Sequence, residues 1–115
     1  MTDTHIDREV LSVLREVMEE GYPELLDTFL ADSENRLHEL QKASDAKALS
    51  EAAHSFKGSA SNMGAVRLAE LCQELESGAK IKSPSDIARL VADITGEFAE
   101  VRPVYENEKH HAHTH

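Results

Sequence analysis

The chain has 115 residues, 40% of them hydrophobic, 30% charged and only 4% aromatic. That is enough for one domain with a core of its own, in a helix-forming mixture with little to favour strands. The net charge of −10 argues against nucleic acid and against an anionic membrane surface, since both would repel it.

No apolar run approaches the roughly 20 residues that span a bilayer. The opening "MTDTHIDREV" is polar and acidic, unlike a signal peptide. A single cysteine, Cys72, excludes an internal disulfide and suits a reducing, cytoplasmic setting.

Apolar spacing predicts five helical segments. The first runs from about Asp7 to Glu20 with Val10, Leu14, Val17 and Met18 inward, and Gly21 stops it. The second runs from about Tyr22 to Lys42. Its stripe is Leu26, Leu30, Ser33, Leu37 and Leu40, with Leu25 and Phe29 at one edge. The third spans about Asp45 to Met63, and Gly64 separates it from a fourth, about Ala65 to Ala79, with Leu68, Leu71, Cys72 and Leu75 inward. In "KSPSD", Ser83 is an N-cap, Pro84 takes the first helical position and Asp86 the third. The fifth helix carries Ile87, Leu90, Val91, Ile94, Phe98, Val101 and Tyr105, with Pro103 near its end.

Long amphipathic helices with short connections predict an all-α fold, an antiparallel four-helix bundle with an additional short N-terminal helix. Residues 1–107 form this single domain, and 108–115 read as a His-rich flexible tail. That tail, "HHAHTH", has no carboxylate or cysteine placed to complete a metal site.

The third helix contains "HSFKGSASNMG". With Phe56 set at zero on a helical wheel of roughly 100° per residue, Leu49, Ala52, Ala53, Ala60 and Met63 fall on one core stripe. His54 lands on the opposite side. It faces water, with Lys47, Ser50, Glu51, Gly58 and Ser61 near the same meridian and Lys57 to one side. An isolated surface histidine would carry no meaning. Here, however, the helix accepts a glycine at 58, at a cost of about 1 kcal/mol against alanine, one turn beyond the imidazole. Something large must approach that ring.

A neutral imidazole is a nucleophile at physiological pH. Lys57 can set an ammonium beside a dianion added to it, and Ser61 can donate a hydrogen bond. The constellation suits an imidazole that takes a phosphoryl group from one protein and gives it to another. Neither a phosphate-cradling loop nor an obvious acidic Mg2+ cluster is present. The partner would therefore bring the metal and the reacting carboxylate.

"AHSFKGSASNMGA", with the following "LAELCQELESGAK", resembles the signature of histidine-containing phosphotransfer (HPt) domains, over about residues 6–106. The resemblance implies a phosphorelay carrier without ATP-dependent kinase activity of its own. His54 would be phosphorylated on Nε2 by a receiver-domain aspartate of a hybrid histidine kinase and would pass the group to a response regulator receiver domain. It also implies that Lys57 is the stabilising cation, Gly58 the clearance residue and Ser61 a neighbour of the site, with no cofactor beyond Mg2+ supplied by the receiver.

For the docking surface, Leu25 and Phe29 are read either as peripheral core or as an apolar rim. Ser50, Glu51, Lys57 and Gly58 complete the candidate partner-binding residues. Glu51 reads as a solvated charge rather than a base, Cys72 as core packing, and His5 and His38 as isolated. The alternative function is a non-reactive helical adaptor or dimerisation module in which His54 is incidental.

Overall fold

The computed structural model describes residues 5–113, with side chains through residue 110. Five helices follow one another: α1 (Arg8–Met18), α2 (Tyr22–Lys42), α3 (Ala46–Asn62), α4 (Val66–Gly78) and α5 (Pro84–His113), with a short 3-10 turn (Glu19–Gly21) between the first two. Among the described residues there is no strand. The helices α2 to α5 close a bundle in which α3 packs on α4, α2 on α5, and the two pairs on each other.

The starts and stops follow local chemistry. Asp45 Oδ1 accepts from the Ala48 amide at 2.7 Å, Ser83 Oγ from the Asp86 amide at 3.1 Å, and Asp7 Oδ1 from the Glu9 amide at 3.0 Å. Each satisfies a donor that the first helical turn leaves open. Gly64 turns α3 into α4 at φ +76°, a left-handed conformation that costs little only without a Cβ. Its carbonyl accepts from the Asp7 amide at 2.7 Å, and a Cβ there would lie 2.9 Å from the Asp7 carbonyl oxygen. The N-terminal segment is thus docked on the α3–α4 turn.

The core is a continuous set of leucines, alanines and a few aromatics. Tyr22, Phe56 and Tyr105 are its largest fully buried side chains. Cys72 belongs to it, as its stripe position predicts, and burial pushes its thiol up to about 12. Tyr105 donates from its hydroxyl to the Met63 carbonyl at 2.7 Å, so the phenol is both core and clamp on the end of α3.

Three expectations are corrected. In α1 the buried residue is Leu11, while Val10 and Leu14 are half-buried and Val17 and Met18 exposed, Val17 at 71%. The helix touches its neighbours along a narrow seam, and one stripe suffices to fill it. Next, α5 does not give way to a flexible tail at residue 108 but runs on to His113. Pro103 stands inside it with Ala99 and Pro103 both exposed, so the hydrogen bond that proline removes is on the wet side. Residues 108–110, assigned to a tail by composition, therefore continue the helix. Glu108 is buried, accepting from the Tyr22 hydroxyl at 2.8 Å and from Arg15 at 2.7 Å, and Lys109 pairs with Asp27 at 2.6 Å. The histidine side chains at 111, 113 and 115 lie outside the described residues. Finally, His5 is not isolated: its Nδ1 lies 2.7 Å from the buried Glu97 carboxylate.

Candidate functional site

His54 stands in the middle of α3, its side chain 66% exposed. Ala53 and Phe56 on the opposite face are fully buried, so packing of the core stripe fixes the rotation that turns the imidazole outward. The ring does not hang free. Its Nδ1 lies 2.8 Å from Glu76 Oε2 of α4. A carboxylate has only acceptors, so the nitrogen that meets it carries the hydrogen, and the lone pair of the neutral ring is on Nε2.

Lys57 crosses to the same helix. Its ammonium lies 3.0 Å from Glu76 Oε1 and 2.8 Å from Gln73 Oε1, and Gln73 in turn donates to Ser77 Oγ at 2.7 Å. The hydrogen bond from Lys57 holds the Glu76 carboxyl below the usual carboxylate range; partial burial opposes it and the His54 contact assists. One carboxylate therefore organises both the histidine and the cation.

Gly58 lies on the exposed side, and a Cβ built there would meet no atom within 4 Å beyond its own helix and chain neighbours. The position is open to solvent, with room for a side chain that the sequence does not supply. Ser61 is exposed and lines, with Lys57, Gly58, Asn62, Ala69 and Gln73, an open groove between α3 and α4. Ser59 donates to the Phe56 carbonyl of its own helix at 3.2 Å. Of the two serines, only Ser61 is turned to the groove.

The proposed docking residues fare unevenly. Glu51 is exposed. Ser50 is half-buried and its hydroxyl donates to the Glu76 carbonyl at 3.4 Å, so it ties α3 to α4 beneath the site. Leu25 is half-buried against the core. Phe29 is corrected outright: it is 4% exposed and packs edge-on against Tyr105 of α5, ring centres 5.0 Å apart, so no partner can reach it.

Glu76 and Gln73 were not anticipated from sequence. The only available signal was their place on α4, one helical turn apart beside the inward stripe. Among the described residues no group of histidine, cysteine and acidic side chains could hold a metal ion.

The model of the Hpt domain family matches residues 24–102, most of the bundle and all of the site. The chain belongs to the Hpt family. Its fold superposes with a TM-score of 0.89 on histidine-containing phosphotransfer protein B (HptB) from Pseudomonas aeruginosa PAO1, at 46% identity over 96% of this chain and 98% of that one. A rice protein, provisionally described as a histidine-containing phosphotransfer protein, superposes with a TM-score of 0.85 over 96% of this chain and 84% of its own, at 17% identity. That second likeness speaks to the fold. No curated protein sequence matches the chain. Membership makes this Hpt chain a histidine phosphotransfer domain of the phosphorelay type. None of its described helices is long and apolar enough to cross a membrane.

Proposed function

We propose that this protein carries a phosphoryl group between two receiver domains, with His54 as the residue that bears it. The observation that carries this reading is the pairing of His54 Nδ1 with Glu76, which leaves Nε2 as the nucleophilic nitrogen on an exposed, glycine-cleared face. The Nε2 lone pair attacks the phosphorus of an aspartyl phosphate on the receiver of a hybrid histidine kinase. The N–P bond forms as the P–O bond to the aspartate breaks, and the carboxylate departs. The same exchange in reverse delivers the group to the aspartate of a response regulator. The receiver supplies Mg2+ for both steps. Lys57 can turn from Glu76 and Gln73 to the incoming dianion, and Ser61 in the adjoining groove can donate to it.

On this reading the protein turns over nothing by itself and takes no group from ATP. It works where receivers work, in the cytoplasm. The test is incubation with a phosphorylated receiver, following acid-labile, base-stable phosphate on the chain. His54→Gln should abolish labelling with little change in helix content or thermal midpoint. Wild-type labelling of that variant would sink the assignment.

A further inference from the structure

A consequence follows for the proton on Nδ1, and it rests on the carrier reading. When the Nε2 lone pair is spent on the N–P bond, both ring nitrogens are substituted and the ring is positively charged. A free imidazole in that state could shed its Nδ1 proton to water. His54 holds that proton 2.8 Å from Glu76 Oε2.

The carboxylate is well placed to keep it. Glu76 is half-buried at the α3–α4 seam, and its other oxygen is 3.0 Å from the Lys57 ammonium. Gln73 meets the same ammonium before any phosphoryl group arrives, and Ser50 ties the Glu76 backbone to α3 whether or not Lys57 turns away. Among the described residues, the charged groups paired at the ring are Glu76 from α4 and, through it, Lys57 from α3; Glu51, three residues before His54 on the same helix, is exposed.

We infer that Glu76 retains the Nδ1 proton of His54 throughout the cycle, so that the phosphoryl group rides on an imidazolium and stays primed for onward transfer. The bookkeeping is simple. Uptake forms N–P and converts neutral ring to cation. Onward transfer breaks N–P, returns its electron pair to Nε2, forms P–O on the acceptor aspartate and restores the neutral Nδ1–H ring. No proton moves in either direction. Without the carboxylate the phosphorylated ring loses its proton as pH rises, and the departing group becomes an imidazolate, a far poorer leaving group. Glu76 is thus a positioning residue that sets the charge state of the carrier.

The decisive measurement is 15N NMR of imidazole-labelled, phosphorylated protein, with onward transfer timed on the same samples. Wild type, Glu76→Gln and Glu76→Ala are compared from about pH 6 to about pH 9, a range bracketing the ordinary imidazole value. In the wild type Nδ1 should stay protonated across the range and onward transfer should be nearly flat. Both variants should lose the proton as pH rises and transfer about tenfold more slowly at the alkaline end. Glu76→Gln, whose amide oxygen still accepts from Nδ1–H, should keep near-normal uptake. Glu76→Ala should lose uptake as well. Identical titration of Nδ1 in wild type and Glu76→Gln would overturn the inference while leaving the carrier reading intact. Absence of any phosphohistidine in the wild type would instead overturn the carrier reading, and this one with it.

Discussion

Lys57 of α3 reaches across to Glu76 of α4, ammonium to carboxylate at 3.0 Å. The cation is therefore committed before any partner arrives. To meet a phosphoryl group on His54 it must exchange one anion for a more highly charged one, and its flexible stem allows that. Lys57→Ala should slow phosphoryl transfer at saturating receiver by about tenfold and weaken the complex less. Saturation kinetics separate the two effects. Equal rates at saturation, with only a poorer complex, would make Lys57 a docking residue.

Gly58 sets helix propensity against access. Nothing outside its own helix stands near its missing Cβ, so Gly58→Ala should stabilise the bundle by up to about 1 kcal/mol with a mild loss of transfer rate. Gly58→Leu or Gly58→Glu should also melt no lower than wild type. Their side chains lean toward the N-terminus and hence toward the imidazole, so transfer should drop sharply. Bulky variants that transfer at the wild-type rate would dispose of the clearance role.

The same change at Gly64 should have the opposite sign. There φ is +76° and a Cβ would press on the Asp7 carbonyl and on Val10. Gly64→Ala should destabilise by at least about 1–2 kcal/mol, the cost of the left-handed conformation for an L-residue. A denaturant melt measures it. Stability equal to wild type would mean that the turn accepts a Cβ and that the left-handed conformation is not what calls for glycine there.

Acid should unfasten α5 from the N-terminal half. Burial alone would raise the Glu108 carboxyl, but the Tyr22 and Arg15 hydrogen bonds outweigh it and leave it lowered. A depressed folded value gives stability that is present above the ordinary carboxylate range, near pH ~4.3, and is lost as pH falls through the folded value. Glu108→Gln should cost about 1–3 kcal/mol near neutrality and show a shallower loss of stability on acidification than the wild type. Urea midpoints at a series of pH values check both. Parallel curves for the two proteins would remove Glu108 from the acid response.

The helix order, the Gly64 turn, the Ser83 cap and the outward face of His54 were legible in sequence because each depends on neighbours a few residues away. Glu76 was not. It shares α4 with Glu70 and Glu74, and only the rotation of α4 against α3 selects which of these acids meets the imidazole. Phe29 sat at the border of an apolar stripe, and the position of Tyr105, far along the chain, decides that it is core. The polar run from residue 108 onward read as a tail for the same reason. Glu108 is buried only because Tyr22 and Arg15, 86 and 93 residues earlier, come to meet it.

An imidazole with Nδ1 already engaged has one nitrogen left to offer. Two visitors cannot share one atom, so on the proposed carrier reading an upstream and a downstream partner of His54 would queue for the same berth. Relay traffic through this bundle would then alternate, with the donor leaving before the acceptor can land. Excess unphosphorylated acceptor would compete with loading instead of hastening it. Throughput would depend on how quickly each visitor departs, and a tighter grip on either partner would slow the whole line.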